Sequence, residues 1–332
     1  MDNLINSILS KFNVDNLSYN LRRDKVDDWR YILDNTQYTS TKYCNSFVEF
    51  TLEIFNKKNL IDLSLIVYEN KKPVSIIPFF YDETKKTFFY ERYKHDANTI
   101  IEPIFSNKCN SKTKNKIYDI FFSILTNEID HILFSTTFCN NFQAPYWYLN
   151  RHDDCKLYEK KNFLYLNLEM LDSIKKNLKL PKIANESKIN ILYKKNDEQI
   201  WNQVKNLHKN MHGSTRSLKS WELQKNSIDV GDGLLSYILD DNKNVLAANF
   251  FYITRDESRY AMSVTAENLV NYYGAYLNIS SLEFIKKIGI KWHFLGSSKL
   301  DFLKTDLKKI NIGRFKEKFS STVILDYHYK IY

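Results

Sequence analysis

Several groups of residues in this sequence have types and spacing suited to chemistry. Glu267 stands just past an apolar run, Arg259 to Val264, where a carboxylate can take a proton directly or through a water. A carboxylate at a helix start is also favoured by the helix dipole alone. Tyr260 and Tyr273 are hydroxyls able to protonate a leaving thiolate or alkoxide, in a chain whose 23 tyrosines are mostly core or surface residues. The stretch His212-Gly213-Ser214-Thr215-Arg216-Ser217-Leu218-Lys219-Ser220-Trp221 reads as a gripping loop. Small hydroxyl residues such as Ser214 surround Arg216, whose forked guanidinium suits a carboxylate or phosphate, and Trp221 offers a ring for stacking. The same stretch also fits a plain surface loop, with Ser220 capping the next helix. His208 and His212 share one helix face, the spacing of a metal pair, but the motif supplies no acidic third ligand and no metal is expected. Lys308, Lys309 and Lys316 can meet a phosphate or simply be solvated, and Asp306 near them can be structural.

These residues need a scaffold, and the composition supplies one. The 332 residues are 43% hydrophobic and 26% charged, with 22 Phe beside the tyrosines, a profile of a folded chain of two ordinary domains. The net charge of +9 favours anionic ligands, among them coenzyme A phosphates, nucleotide-linked sugars, tRNA and acidic membrane surfaces, without choosing one. Cys44, Cys109, Cys139 and Cys155 follow no metal or disulfide spacing, which fits reduced thiols and a cytoplasmic location. The N-terminus has no signal-like pattern and no apolar run reaches the length of a membrane span, so neither export nor integral membrane association is expected.

Two passes of the same element order follow from the hydrophobic pattern. In the first, a helix over Cys44 to Phe55 precedes a hairpin, Leu63 to Tyr68 and Pro73 to Phe80, around the turn Glu69 to Lys72. A strand at Thr87 to Tyr90, a helix at Ile117 to Leu125 and strands at Ile132 to Ser135 and Phe163 to Leu168 complete it. In the second, a helix at Ile200 to Met211 precedes a hairpin, Leu234 to Leu239 and Val245 to Ile253, then a strand at Arg259 to Val264. A helix from Gly274 to Ile288, ended by Gly289, and a strand at Lys291 to Leu295 close it. The polar, basic stretch 169–196 is the expected connector between an N-terminal domain, 1–168, and a C-terminal domain, 197–332.

With that order in place, the second half resembles the FemAB-like branch of the GNAT acyltransferase superfamily. The residues that carry the resemblance are Gly233 to Tyr237 with Val245 to Phe251, Tyr260 to Val264, Ser281 to Gly289 leading to Phe294-Leu295-Gly296, and Ile312 to Phe319 with its Phe315-Lys316 pair. In the first half only the hairpin, Lys72 to Phe79, contributes. The resemblance implies an α/β (α+β) fold of two tandem GNAT-like domains, each a mixed, mostly antiparallel sheet flanked by helices. It implies an enzyme that transfers an acyl or aminoacyl group to an amine, without metal. Glu267, Tyr260 and Tyr273 are then the catalytic candidates. Arg216, Trp221, Ser263 and Ser214 would bind the acceptor, and Gly274, Ala275, Lys308 and Lys316 the donor. The expected acceptor is a small-molecule amine on a cell-envelope or surface-glycan precursor, such as a nucleotide- or lipid-linked amino sugar or a sugar acid, and DNA is not expected. The expected donor is an acyl-CoA such as acetyl-CoA. Against it, the stretch Glu267 to Tyr276 has one glycine and no Arg or Lys, where coenzyme A enzymes of this superfamily usually have a Gly-rich basic loop. An aminoacyl-tRNA donor is the alternative. A further one is a non-catalytic binding or scaffold protein on the same fold.

Overall fold

The computed structural model describes residues 2–55, 60–85, 87–93, 97–128, 133–135, 155–178, 189–214, 216–266, 272–297, 313–314 and 316–331. The chain divides into two units, Met1–Lys161 with Asp326–Tyr332, and Asn162–Leu325.

The first unit begins with α1 (Asp2–Ser10), β1 (Leu17–Leu21), α2 (Val26–Asn35) and α3 (Asn45–Phe55). After β2 (Leu60–Asp62), the expected hairpin is β3 (Leu65–Glu69) and β4 (Lys72–Ile77). Its two turn residues, Asn70 and Lys71, have φ of 50° and 64°, the backbone twist that closes a two-residue hairpin between right-twisted strands. Four short strands follow: β5 (Phe80–Asp82), β6 (Thr87–Phe89), β7 (Glu91–Tyr93) and β8 (Ala97–Ile101). Then come β9 (Ile104–Phe105), α4 (Ser111–Glu128) and β10 (Leu133–Ser135). Ile117, Phe121 and Leu125 recur every fourth residue on α4 and bury against Leu65, Val67 and Ile77 of the hairpin in one apolar core. β8 runs parallel to β10, and β9 continues antiparallel to β4; between them Glu102 and Pro103 interrupt the strand, as a residue without an N–H must.

The second unit is ordered along one sheet. Its elements are the end of β11 (Cys155–Asn167), then α5 (Leu171–Leu178), β12 (Ile189–Tyr193), α6 (Glu198–His212), α7 (Leu218–Val230), β13 (Gly233–Leu239), β14 (Val245–Ile253), β15 (Glu257–Thr265), α8 (Tyr272–Lys287), β16 (Trp292–Ser297) and the start of β17 (Thr322–Ile331). The strand order is β12-β13-β14-β15-β16-β11, antiparallel except at β15–β16. One face of β13 and β14 presents Leu234, Ile238, Ala247 and Phe251 to Leu277, Leu282 and Ile285 of α8. The other face meets α6 and α7, where Trp201 stands edge-on to Trp221 and to Phe250 at centroid distances of 5.8 and 5.9 Å. Such aromatic pairs add roughly 1 kcal/mol each beyond the area they bury. Gly289, at φ 93°, ends α8 in the left-handed conformation the sequence implied.

The order helix, hairpin, strand, helix, strand is found in α7-β13-β14-β15-α8-β16; in the first unit α3, the hairpin β3-β4, α4 and β10 follow the same sequence, with the additional short strands β2 and β5 to β9 among them. Two expectations are corrected. The division falls at Lys161/Asn162 and not after residue 168, because Phe163–Asn167 pair with Trp292–Ser297. The stretch 169–196 is also not a free connector among its described residues: α5 lays Leu171 and Ile174 into the core beside α8, and β12 pairs with β13 along its length.

Candidate active site

The parallel contact of β15 with β16 lasts three residues, Glu257 with Trp292, Ser258 with His293 and Arg259 with Phe294. Beyond it β15 stays with β14 as far as Thr265, while β16 follows β11 to Ser297. The two strands therefore form a fork that opens toward their C-terminal ends. Its closed end is pinned by a buried hydrogen bond of 2.8 Å between the Ser258 hydroxyl and Nδ1 of His293. Burial pushes His293 down to about 3, so the ring is neutral there at neutral pH. Where the fork opens, the register of β14 with β15 slips: Phe250 faces Met262 and Phe251 faces Tyr260. Ala261 is the extra residue, exposed and left out of the ladder. At the tip of β16, Gly296 has φ 95°, and a Cβ there would meet the Lys316 amine at 2.9 Å. The left-handed φ is what calls for a glycine, and the Lys316 amine, the end of a flexible side chain, lies across the end of the strand.

On the α8 side of the sheet, Tyr260 packs on Phe251 at 5.6 Å and is raised above the ordinary tyrosine range by burial, with a hydrogen bond to Ser263 pulling it partly back. The phenol therefore keeps its proton at neutral pH and can donate it. Ser263 is half-buried and lies opposite Asn249, which lies opposite Ser236. From α8 the Ser281 hydroxyl reaches Ser236 at 2.6 Å. Serine and asparagine thus form a polar row across three strands in an otherwise apolar interface.

On the other side, α6, α7 and the residues between them enclose a cleft of about 170 Å³ lined by Lys205, His208, Lys209, Ser214, Arg216 and Trp221 together with Asn206, Gly213 and Leu218. The Arg216 guanidinium lies flat over the Trp221 ring, 3.5 Å from its centroid, and its Nη2 donates to the Met262 sulfur at 3.3 Å. Met262 follows the bulged Ala261, so the cleft abuts the fork. Burial pushes Arg216 down to about 10, still charged at neutral pH. His208, edge-on to Trp221 at 5.2 Å, is pushed down to about 4 by burial, then by Arg216 and His212, and is neutral. The cleft therefore holds the charges of Lys205, Lys209 and Arg216 and, among the described residues, no carboxylate lines it.

The structure brings Arg216, Trp221 and Ser214 together in the cleft, and Tyr260 and Ser263 together at the fork. Tyr273 and Ala275, in the first turn of α8, pack on apolar clusters, and a Cβ at Gly274 would meet open space. Glu267, Lys308, Thr215 and Phe315 lie outside the described residues. Trp221 belongs to α7 and not to a loop, and its ring stacks on Arg216, leaving it 6% exposed. Ser217, not Ser220, caps α7: its hydroxyl accepts from the Ser220 N–H at 3.1 Å. Sequence reasoning missed Lys205 and Lys209, one turn apart on α6, and the buried amides of Asn249 and Asn278. The polar residue inside Val245-Leu246-Ala247-Ala248-Asn249-Phe250-Phe251 was the available signal for the first of these. His208 and His212 are 4.8 Å apart, and no cluster of three or more His, Cys, Asp or Glu exists among the described residues.

No protein-family model matches the sequence, and comparison with curated proteins gives no match. Solved structures do match. FemX superposes with a TM-score of 0.65 at 9% identity, over 92% of this chain and 96% of that one. The C-terminal domain of a protein described as a lysylphosphatidylglycerol synthetase of Agrobacterium fabrum gives 0.57 at 9%, over 92% of both chains. L-PGS from Bacillus licheniformis gives 0.55 at 8%, over 92% of this chain and 90% of that one. At this identity the likeness is one of fold. The chain shares the fold of FemX and of these two synthetase structures. No helix among the described residues is long and apolar enough to cross a membrane.

Proposed function

We propose that this protein is an N-acyltransferase, transferring an acyl group from an activated ester or thioester to the amine of a cell-envelope or surface-glycan precursor. The observation that carries the reading is the fork: β15 leaves β16 after three residues and carries the bulge at Ala261 where they part. An extended acyl donor fits between parting strands, with its carbonyl against the backbone of the bulge, where a developing oxyanion meets N–H donors. The neutral amine attacks that carbonyl, the bond to the carrier oxygen or sulfur breaks, and Tyr260 gives the leaving group its proton. Glu267, directly or through a water, takes the proton from the amine. Tyr273 is the second candidate proton donor. The cleft beside Met262 serves the acceptor: Arg216, with Lys205, Lys209 and Ser214, binds an anionic group such as the phosphate of a nucleotide-linked or lipid-linked amino sugar or a sugar carboxylate. Trp221 supports Arg216 from below.

Acetyl-CoA or a similar acyl-CoA is the donor favoured, with Gly274, Ala275, Lys308 and Lys316 the residues proposed to bind it. The absence of Arg and Lys from Glu267 to Tyr276 supports an aminoacyl-tRNA donor as the second reading. The first experiment is thermal denaturation with acetyl-CoA, coenzyme A and aminoacyl-tRNA, followed by transfer from each donor to amino-sugar acceptors. A ligand that binds only the native state raises the melting temperature. A rise with coenzyme A and N-acylated product support the acyl-CoA reading, and a rise with tRNA alone turns it to aminoacyl transfer. A wild-type protein that binds neither and consumes no donor is a scaffold on this fold, which refutes the enzyme reading.

A further inference from the structure

The interface of α8 with the sheet holds amides that nothing nearby satisfies. Asn249 and Asn278 are each 1% exposed, and the Nδ2 of Asn249 and both amide atoms of Asn278 have no hydrogen-bond partner. Asn249 stands between Ala247 and Phe251 on the buried face of β14, where an apolar residue would be more stable, because a buried amide without a partner forfeits its hydration. Asn278 is one turn before Ser281, whose hydroxyl bonds Ser236, the residue paired with Asn249. The row is not sealed: Ser263, its last member, is half-buried on β15 where the fork opens, and it bonds Tyr260.

We propose that this row is the pocket for the acyl substituent and that the transferred acyl group carries a neutral hydroxyl or carbonyl on the carbon next to its own carbonyl. The inference rests on the acyl-transfer reading above. The atoms left without a partner are two amide NH2 groups and one amide oxygen. A hydroxyl both accepts and donates, and so answers both kinds of partner. An ammonium has three donors and no acceptor, and so leaves the two NH2 groups without a partner. An alkyl group answers none of them. Asn249 and Asn278 are thus specificity-determining residues that select among acyl groups of equal size.

The test uses three nearly isosteric acyls, lactoyl, isobutyryl and alanyl, on one carrier, first coenzyme A and then tRNA, with acetyl as a reference. The wild-type protein should transfer lactoyl with kcat/KM at least about 10-fold above isobutyryl and alanyl, since a site built to bond a hydroxyl discriminates strongly against analogues that lack it. Asn278→Leu, close in shape and apolar, should abolish that preference by lowering lactoyl transfer, leave isobutyryl transfer within about twofold, and leave the melting temperature no lower. Asn249→Leu is the second variant, used if the first does not fold. Equal use of lactoyl and isobutyryl by the wild type, faster alanyl transfer, or an equal loss of both acyls in the variant overturns the inference while leaving acyl transfer intact. A wild type that transfers acetyl but none of the three also overturns it, whereas a protein that transfers no acyl from either carrier fails the acyl-transfer reading itself.

Discussion

Arg22 in the first unit and Arg216 in the second are both held against a tryptophan, yet their surroundings are opposite. Arg22, 1% exposed, donates to Asp62 from Nε at 3.2 Å and from Nη2 at 2.5 Å, to Glu49 at 2.7 Å and to Asn45. Although burial opposes it, the two carboxylates hold its pKa above the ordinary arginine value. Arg216 meets a ring and a sulfur, shares its cleft with two lysines, and is pushed down to about 10. A guanidinium matched by internal carboxylates ties elements together. In the proposed reading, one set among cations in an open cleft takes an anion from outside.

That contrast can be broken by experiment. Arg22→Met leaves Asp62 buried without its cation and should destabilise the protein by roughly 3 kcal/mol or more, read from urea denaturation, with transfer per folded molecule unchanged. A loss of turnover in the folded fraction would give the first unit a share in the chemistry. Tyr260→Phe, which keeps the packing on Phe251, should lower kcat about 100-fold, the usual scale of a lost general acid, with little change in melting temperature. An unaltered kcat would move the proton donor to Tyr273. Arg216→Met should raise the acceptor KM roughly 10- to 100-fold, the scale of a charged hydrogen bond, with kcat within a few-fold and stability within about 1 kcal/mol. If it destabilises as much as Arg22→Met, the two arginines are alike and the comparison falls.

A further test is the pH dependence of stability. His293 and His208 are depressed to about 3 and about 4 in the fold, against 6.5 when unfolded. The unfolded chain therefore binds protons first as pH falls, and stability present above about 6.5 is lost below it, at up to about 1.4 kcal/mol per pH unit for the fully buried His293 and less for the partly exposed His208, whose charge solvent screens. For His293 the loss continues to about 3. His293→Gln should flatten the slope of unfolding free energy between pH 6 and roughly 4. An unchanged slope would mean the closed end of the fork admits a charged ring.

The two units also differ in the strand that follows each hairpin, and here the sequence was only partly legible. In the first unit Glu102 and Pro103 split that strand into β8 and β9, and the proline announces the break. In the second, β15 is continuous and its bulge at Ala261 has no residue signature, since any small residue can be looped out. The hairpins, α8 with Gly289 and the element order of the second unit were readable because alternation, helical spacing and turn residues are local. Helix α7 was not, because it buries Ser220, Gln224 and Ser227 beside Trp221 and Ile228 and so lacks an apolar stripe.

The sequence by itself determined which elements form and which residue types can do chemistry, including Tyr260, Ser263 and Arg216, because backbone preference and hydrophobic spacing act over a few neighbours. The tertiary structure alone decided that Trp221 supports Arg216, that Lys205 and Lys209 join it, that β15 parts from β16 at Tyr260, and that Asn249 and Asn278 are buried. Burial and charge environment depend on residues far apart in the chain, and only packing brings those together.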